Sequence, residues 1–299
     1  MTRPNPWHRT PDAMRRAVTD KLRVEASGGS WPLPDLQRQY AYDQLIERLY
    51  RTDDGWVIKG ATALLARRVS ARHTIDVDVY RAGAIADVER QLRLAAALDI
   101  GDWMRFEVGP AARIRAAGAQ AAQVRVRSFI GTKVWTAFQV DIVADGVEMS
   151  AEPDSVPPLT SLFASEKRLW RAYPLVDHVA DKVCAIFERH DGRPSTRFKD
   201  LIDLVAITER ATVDAELQMR ALRKEGRRRV LELPSEFGVP DRGLWTAGYR
   251  AEARRAVGLT ALDLDGALAV VGPFLDPLLD GSAGGAWDFV RREWARSAG

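Results

Sequence analysis

Apolar and polar positions change period several times along this chain, and each change marks an element. Leu36, Tyr40, Leu45 and Leu49 approximate a helical stripe. They predict a helix over 33–50, preceded by another over 10–25, with Gly28-Gly29-Ser30-Trp31-Pro32 between them. Trp56, Val57 and Ile58 suit a short buried strand that Gly60 breaks. From Thr62 the Ala and Leu residues favour helix, with Arg67 and Arg68 at its solvated end. Ile75, Val77 and Val79 then alternate with Asp76, Asp78 and Tyr80, the period of a strand. Helical spacing returns over 84–98 in Ile85, Val88, Leu92 and Ala95 or Ala96. The stretches 104–108, 123–130 and 134–143 read as further strands of the same sheet, the last two joined at Gly131-Thr132-Lys133.

Beyond Asp154-Ser155-Val156-Pro157-Pro158 the pattern turns helical, over 175–190, 197–208, 214–230, 245–257, 262–271 and 286–296. There is no internal repeat and no low-complexity linker, so two closely packed parts are expected. The fold class is α+β (mixed α/β): N-terminal helices and a sheet-containing core over 1–158, then a mostly helical part over 159–299.

Composition narrows the chemistry. With 46% hydrophobic residues in 299, the chain can bury an ordinary globular core. No apolar run is long enough to span a bilayer, and the N-terminal MTRPNPWHRTPDAMRR lacks an apolar signal core, so a cytoplasmic protein is expected. Cys184 is the single cysteine, which leaves no internal disulfide and no cysteine-cluster zinc site. The four histidines are scattered. Any metal is therefore held by carboxylates, which favours Mg²⁺ or Mn²⁺. The net charge of +3 does not by itself demand a nucleic-acid partner. The densest basic run, 220–229 (RALRKEGRRR), reads either as a solvated helix or as an RNA contact.

The sharpest signal lies in the second predicted strand. Asp76 and Asp78 project from one face, roughly 7 Å apart. Carboxylates that close repel each other unless a cation or proton intervenes, and a divalent metal is the economical partner. Asp141, inside Phe138-Gln139-Val140-Asp141-Ile142-Val143, is costly in so apolar a run. It is either a third metal-binding carboxylate or a strand-end acid paired with an arginine. Backbone N–H groups at Gly60 and Ala61, opening a helix, suit the β/γ-phosphates of a nucleotide.

A glycine turn, two same-face aspartates and a distant third resemble the palm of the nucleotidyltransferase (polymerase-beta-like) superfamily. Closer in, Lys59-Gly60-Ala61-Thr62-Ala63-Leu64-Leu65-Ala66-Arg67 followed by Arg72-His73-Thr74-Ile75-Asp76-Val77-Asp78 resembles the AbiEii/AbiGii toxin family, which includes MenA-like toxins. That family shows Lys-Gly-Gly-Thr-Ala-Leu and then Arg-x-Ser-x-Asp-Ile-Asp. Val179-Ala180-Asp181-Lys182-Val183-Cys184-Ala185-Ile186-Phe187-Glu188-Arg189 resembles its Ala-x-Lys-Leu-x-Ala-Leu-x-x-Arg helix. Phe198-Lys199-Asp200-Leu201-Ile202-Asp203-Leu204 resembles its Arg-Asp-Leu-Tyr-Asp-Leu helix. The likeness covers roughly 56–205. Ala61 replaces the second glycine, keeping the backbone donor but restricting positive φ. Thr74 replaces the usual serine and keeps a hydroxyl.

The resemblance implies a palm with a mixed sheet, in which Asp76, Asp78 and Asp141 hold Mg²⁺ or Mn²⁺. Gly60, Ala61, Thr62, Arg72, Thr74 and Lys182 would contact the nucleotide, and Asp200 would complete the catalytic centre in a cleft between the two parts. On the residues alone, Lys182 is also readable as a solvated helix lysine, Arg72 as a surface charge and Cys184 as a packing residue. Asp203, three residues beyond Asp200, is readable as a structural partner, for example of Arg197 or Lys199, which leaves Asp200 the preferred acid. Thr74, on the carboxylate face, is a candidate for regulatory phosphorylation.

The implied protein is a toxin of a toxin–antitoxin or abortive-infection system with a cognate antitoxin partner. It would transfer NMP from an NTP to RNA, at the acceptor end of tRNA, and so block translation. The rival readings are a nucleotidyltransferase acting on a protein or small molecule, a non-catalytic NTP- or RNA-binding module, and an Asp-x-Asp glycosyltransferase. The last needs neither the Gly60 turn nor the Lys182 and Asp200 motifs.

Overall fold

The computed structural model describes residues 10–29, 31–116, 119–159, 162 and 168–295. The chain divides into two compact units, each built from separate segments: residues 1–67, 74–147 and 155–172 in the first, and 68–73, 148–154 and 173–299 in the second.

The first unit holds helices α1 (Pro11–Gly28) and α2 (Leu33–Thr52), strand β1 (Val57–Ile58), helix α3 (Gly60–Ala66), strand β2 (Asp76–Arg81) and helix α4 (Ile85–Ala96). Strands β3 (Met104–Ala116), β4 (Ala119–Ile130), β5 (Lys133–Ala144), β6 (Asp154–Val156) and β7 (Trp170–Ala172) complete its sheet. The strand order is β3-β4-β5-β2-β1-β7-β6. It is a mixed sheet: β2 runs parallel to β5 and β1 to β7, whereas β1–β2, β3–β4 and β4–β5 are antiparallel.

Alternation decides which face of this sheet is covered. Val77, Val79, Val124, Val126, Val140 and Ile142 are buried on one side, where α1, α2 and α4 pack. The intervening residues of β2 and β5 are only half-buried, so the other face is free to carry polar groups. Arg48 of α2 is fully buried yet satisfied, forking onto Asp102 at 2.6 and 3.0 Å and donating to the carbonyls of Gln44, Leu98 and Met104. Strands β3 and β4 exceed their expected lengths because the chain absorbs Gly109-Pro110 in a bulge rather than ending there.

The second unit contains α5 (Leu175–Phe187), the short strands β8 (Arg189–His190) and β9 (Arg193–Pro194), α6 (Phe198–Arg210), α7 (Ala215–Arg229), α8 (Arg242–Ala253) and α9 (Leu264–Asp280). Asp214, Asp241 and Asp263 cap α7, α8 and α9 by accepting from backbone N–H groups three residues on. Helix α9 runs past the expected end at 271 and through Pro273 and Pro277, because Phe274, Leu275 and Leu278 continue its buried stripe.

The helix expected over 286–296 is not formed. Strands β10 (Trp287–Asp288) and β11 (Glu293–Trp294) make a hairpin there, and Arg296 lies outside the described residues. Trp287 and Trp294, seven residues apart, mimic helical spacing but meet across the hairpin, and both pack on Phe274. Tertiary aromatic packing overrides the local period.

Candidate active site

In the first unit the site is set by register. Parallel pairing of β2 with β5 places Asp78 beside Asp141 and Asp76 beside Gln139, and antiparallel pairing of β4 with β5 places Gln123 beside Asp141. Asp76, Asp78 and Asp141 therefore share the open face. Asp141 Oδ1 accepts from Gln123 Nε2 at 3.2 Å and Gln139 Nε2 at 2.9 Å, so its partners are two amides rather than the arginine one reading expected. Burial pushes the Asp141 carboxyl above its ordinary value; the Gln123 hydrogen bond opposes this and the nearby Asp76 charge adds to it.

Gly60 closes on the same acids. Its φ is +55°, and a Cβ there would stand 2.6 Å from the Asp78 carboxyl carbon, so only glycine fits. The preceding N–H, from Lys59, donates to the Asp78 carbonyl at 2.8 Å and locks the turn to β2. Ala61 and Thr62 follow in the first turn of α3, both buried, and the Thr62 hydroxyl has no hydrogen-bond partner among the described residues. A buried hydroxyl without a partner is costly, which marks this turn as a place a ligand could complete. Thr74, also buried, donates from its hydroxyl to the Asp76 carboxylate.

The second unit gathers a separate network. Lys182 of α5 is buried, not solvated, and its Nζ reaches Asp200 Oδ1 at 3.1 Å and Asp203 Oδ2 at 2.6 Å. Asp203 also receives a two-pronged bond from Arg72, Nε to Oδ1 at 2.9 Å and Nη2 to Oδ2 at 2.8 Å. Arg72 is thus not a loose surface charge; a buried carboxylate orients it. Arg197 pairs with Asp200 at 2.6 Å instead of Asp203, because Asp200 lies three residues on and Asp203 six. Lys199 is not the partner of Asp203 either.

Three cations therefore surround two carboxylates, leaving one net positive charge. Burial alone would lower the Lys182 ammonium, but Asp203 and Asp200 outweigh it and hold the group above its ordinary value. Burial likewise opposes ionisation of Asp200, and Lys182 and Arg197 outweigh that to hold it below the ordinary range. Cys184, on the same helix, is fully buried as a packing residue, and burial pushes its thiol up to about 12.

Sequence reasoning preferred Asp200 to Asp203 and missed Gln123 and Gln139. Asp203 was visible as the acid three residues beyond Asp200 on one helix face. The two glutamines carry no sequence signal; only strand register brings them to Asp141. In α7, the basic run is partly turned inward: Lys224 pairs with Asp177, and Arg228 and Arg229 with Glu225. Arg220, Arg223, Arg227 and Arg228 itself stay exposed.

The profile of the family described as "Nucleotidyl transferase AbiEii toxin, Type IV TA system" matches residues 45–270. The chain belongs to the AbiEii toxin family. This AbiEii protein is accordingly a nucleotidyltransferase toxin of a toxin–antitoxin system, and membership implies an NTP substrate and an antitoxin. Comparison with the curated proteins finds no match. Among solved structures, MenT4, nucleotidyltransferase toxin Rv2826c from Mycobacterium tuberculosis H37Rv, is similar over 88% of this chain and 98% of its own, at 18% identity and a TM-score of 0.52. JHP933 from Helicobacter pylori matches over 84% of this chain and 94% of its own, at 15% identity and a TM-score of 0.49. The likeness to MenT4 is one of fold, a mixed sheet with accompanying helices.

Among the described residues no three His, Cys, Asp or Glu side chains already converge on a common metal position. The donors that do share a face are all carboxylate oxygens, which suits a hard divalent cation rather than zinc or copper. No helix among the described residues is long and apolar enough to cross a membrane.

Proposed function

We propose that this AbiEii toxin transfers NMP from an NTP to the 3′ hydroxyl of RNA, at the tRNA acceptor end, and so blocks translation in the cytoplasm. The observation that carries the reading is the row of Asp78 and Asp141, with Asp76 beside it, on the open face of a sheet whose Gly60 turn closes on Asp78. In the reaction the α-phosphorus gains a bond to the acceptor oxygen and loses its bond to the β-phosphate oxygen. Pyrophosphate leaves, and the acceptor proton passes to solvent.

Asp76, Asp78 and Asp141 would hold Mg²⁺ or Mn²⁺, which would supply positive charge to a triphosphate bound there. Gly60, Ala61 and Thr62 line the phosphates, with the unpaired Thr62 hydroxyl supplying a donor. Gln123 and Gln139 fix Asp141 through Oδ1, leaving Oδ2 to take part in binding. Lys182 spends two of its three N–H bonds on Asp200 and Asp203, and the third is for a nucleotide phosphate. Arg72 and Asp200 shape that cationic site, and its excess positive charge suits a polyanion.

Incubating the purified protein with each α-labelled NTP, total RNA and Mg²⁺ tests this. Label at RNA 3′ ends, lost in Asp76→Asn, is the expected result. Label on protein or a small molecule but not on RNA would overturn the acceptor. Undiminished growth inhibition by folded Asp76→Asn would show that binding without transfer suffices.

A further inference from the structure

The open face of the first unit's sheet bears two neighbouring cross-strand rows. One runs Asp78, Asp141, Gln123; the other runs Asp76, Gln139, Arg125. The first row ends on an amide engaged with Asp141, and the second ends on a cation. Arg125 is exposed, and its side chain makes no hydrogen bond or ion pair among the described residues. Its neighbours on the same face are committed elsewhere: Arg105 and Arg127 share Glu107. Opposite Arg125 the edge strand β3 bulges between Val108 and Ala111. The bulge residues, Gly109 and Pro110, bring no acid to neutralise the guanidinium, and Gly109 brings no side chain to shield it.

Strand order gives this cation a direction. Gly60 follows β1, on one side of β2, whereas β5 and then β4 lie on the other. A triphosphate seated at the Gly60 turn therefore occupies one flank of the carboxylates. Arg125 stands on the opposite flank, two strand spacings or about 10 Å from Asp76. A nucleotide donor on the Gly60 side leaves the β4 side for the group that receives NMP.

We propose that Arg125 binds a backbone phosphate of the acceptor RNA strand, which approaches the carboxylates across β4 and β5. The site takes a phosphodiester, because a guanidinium with all its donors available forks onto phosphate oxygens. It rests on the RNA reading above and adds the side from which the acceptor enters. A small-molecule acceptor without a phosphodiester chain would not extend to this residue.

The test measures binding of a fluorescently labelled tRNA transcript to wild type, Arg125→Ala, Arg125→Gln and Arg125→Lys over a salt series, with the KM for NTP alongside. Both neutral variants are expected to raise the Kd for RNA about tenfold, the scale of one charge-assisted contact. They should also flatten the slope of log K against log salt by about 0.7, the loss of one single-strand phosphate contact. Arg125→Lys should recover most of the slope. The KM for NTP and the melting temperature should not move, since the side chain is exposed and makes no hydrogen bond or ion pair among the described residues. Wild-type transfer to RNA combined with unchanged RNA affinity and slope in Arg125→Ala and Arg125→Gln overturns the Arg125 assignment alone. A wild type that neither binds nor labels RNA overturns the RNA reading and this inference with it.

Discussion

Gly60 and Asp78 occupy the same corner of the structure: the Asp78 carboxylate fills the space that a Cβ on residue 60 would need. The relation runs both ways. The glycine turn exists to admit the acid, and the acid is held where the turn's backbone can share its ligand.

Gly60→Ala should therefore act through Asp78. An alanine at φ +55° costs roughly 1–2 kcal/mol by itself, and the clash requires Asp78 to move besides. The expected outcome is a folded protein, modestly lower in urea midpoint, with NMP transfer reduced at least a hundredfold. Near-normal transfer by a folded Gly60→Ala protein would contradict the assignment of Asp78.

Asp203 should matter as much as Asp200. It is fully buried and holds both the buried Lys182 and the half-buried Arg72, so Asp203→Asn leaves both cations undercompensated. Breaking such a pair costs about 3–5 kcal/mol; because Asp200 still partners Lys182, the lower end is expected. In a double-mutant cycle with Arg72→Leu, urea unfolding should show coupling above about 1 kcal/mol. Strict additivity would mean that the two-pronged contact contributes nothing.

The same network sets a pH window. Asp200 is held below its ordinary value of 3.8: burial opposes this, and Lys182 and Arg197 outweigh it. Its contribution to stability is present above that value and is lost as pH falls through the folded pKa. Lys182 is held above 10.5, where burial is outweighed by Asp203 and Asp200. Its contribution is complete below 10.5 and is lost as pH rises through the folded value. Unfolding free energy from these groups should be flat between the two limits. Lys182→Met should flatten the alkaline limb, and an unchanged limb would place that titration elsewhere.

Thr74 gives a switch test. Its hydroxyl is buried and bonded to the Asp76 carboxylate, so a phosphate there would put about −1.5 to −2 charges beside an acid the reaction needs. Stoichiometrically phosphorylated protein, verified by intact mass, should lose transfer and bind NTP more weakly. Full activity would refute a regulatory role. Thr74→Val should lower activity less, because it removes one hydrogen bond without adding charge.

Much of this protein was legible without coordinates because its signals are local. The alternation around Asp76 and Asp78 fixed a strand with two acids on one face, and Gly60 fixed a turn, since both follow from backbone periodicity. The resemblance of 179–189 and 198–204 to two helices of the family singled out Lys182 and Asp200 as candidates. What remained hidden depends on residues far apart in the chain. Strand order alone could seat Asp141 beside Asp78, direct Gln123 and Gln139 onto it, and leave Arg125 at the end of the neighbouring row. Burial alone could turn Lys182 from a readable surface lysine into the centre of an ion network, and give Arg72 to Asp203 rather than to solvent. The hairpin at Trp287 and Trp294 follows the same rule, because aromatic packing on Phe274 outweighs a helical period. Periodicity determined the elements and the first two acids; pairing register and desolvation, which no single stretch encodes, decided which charges meet.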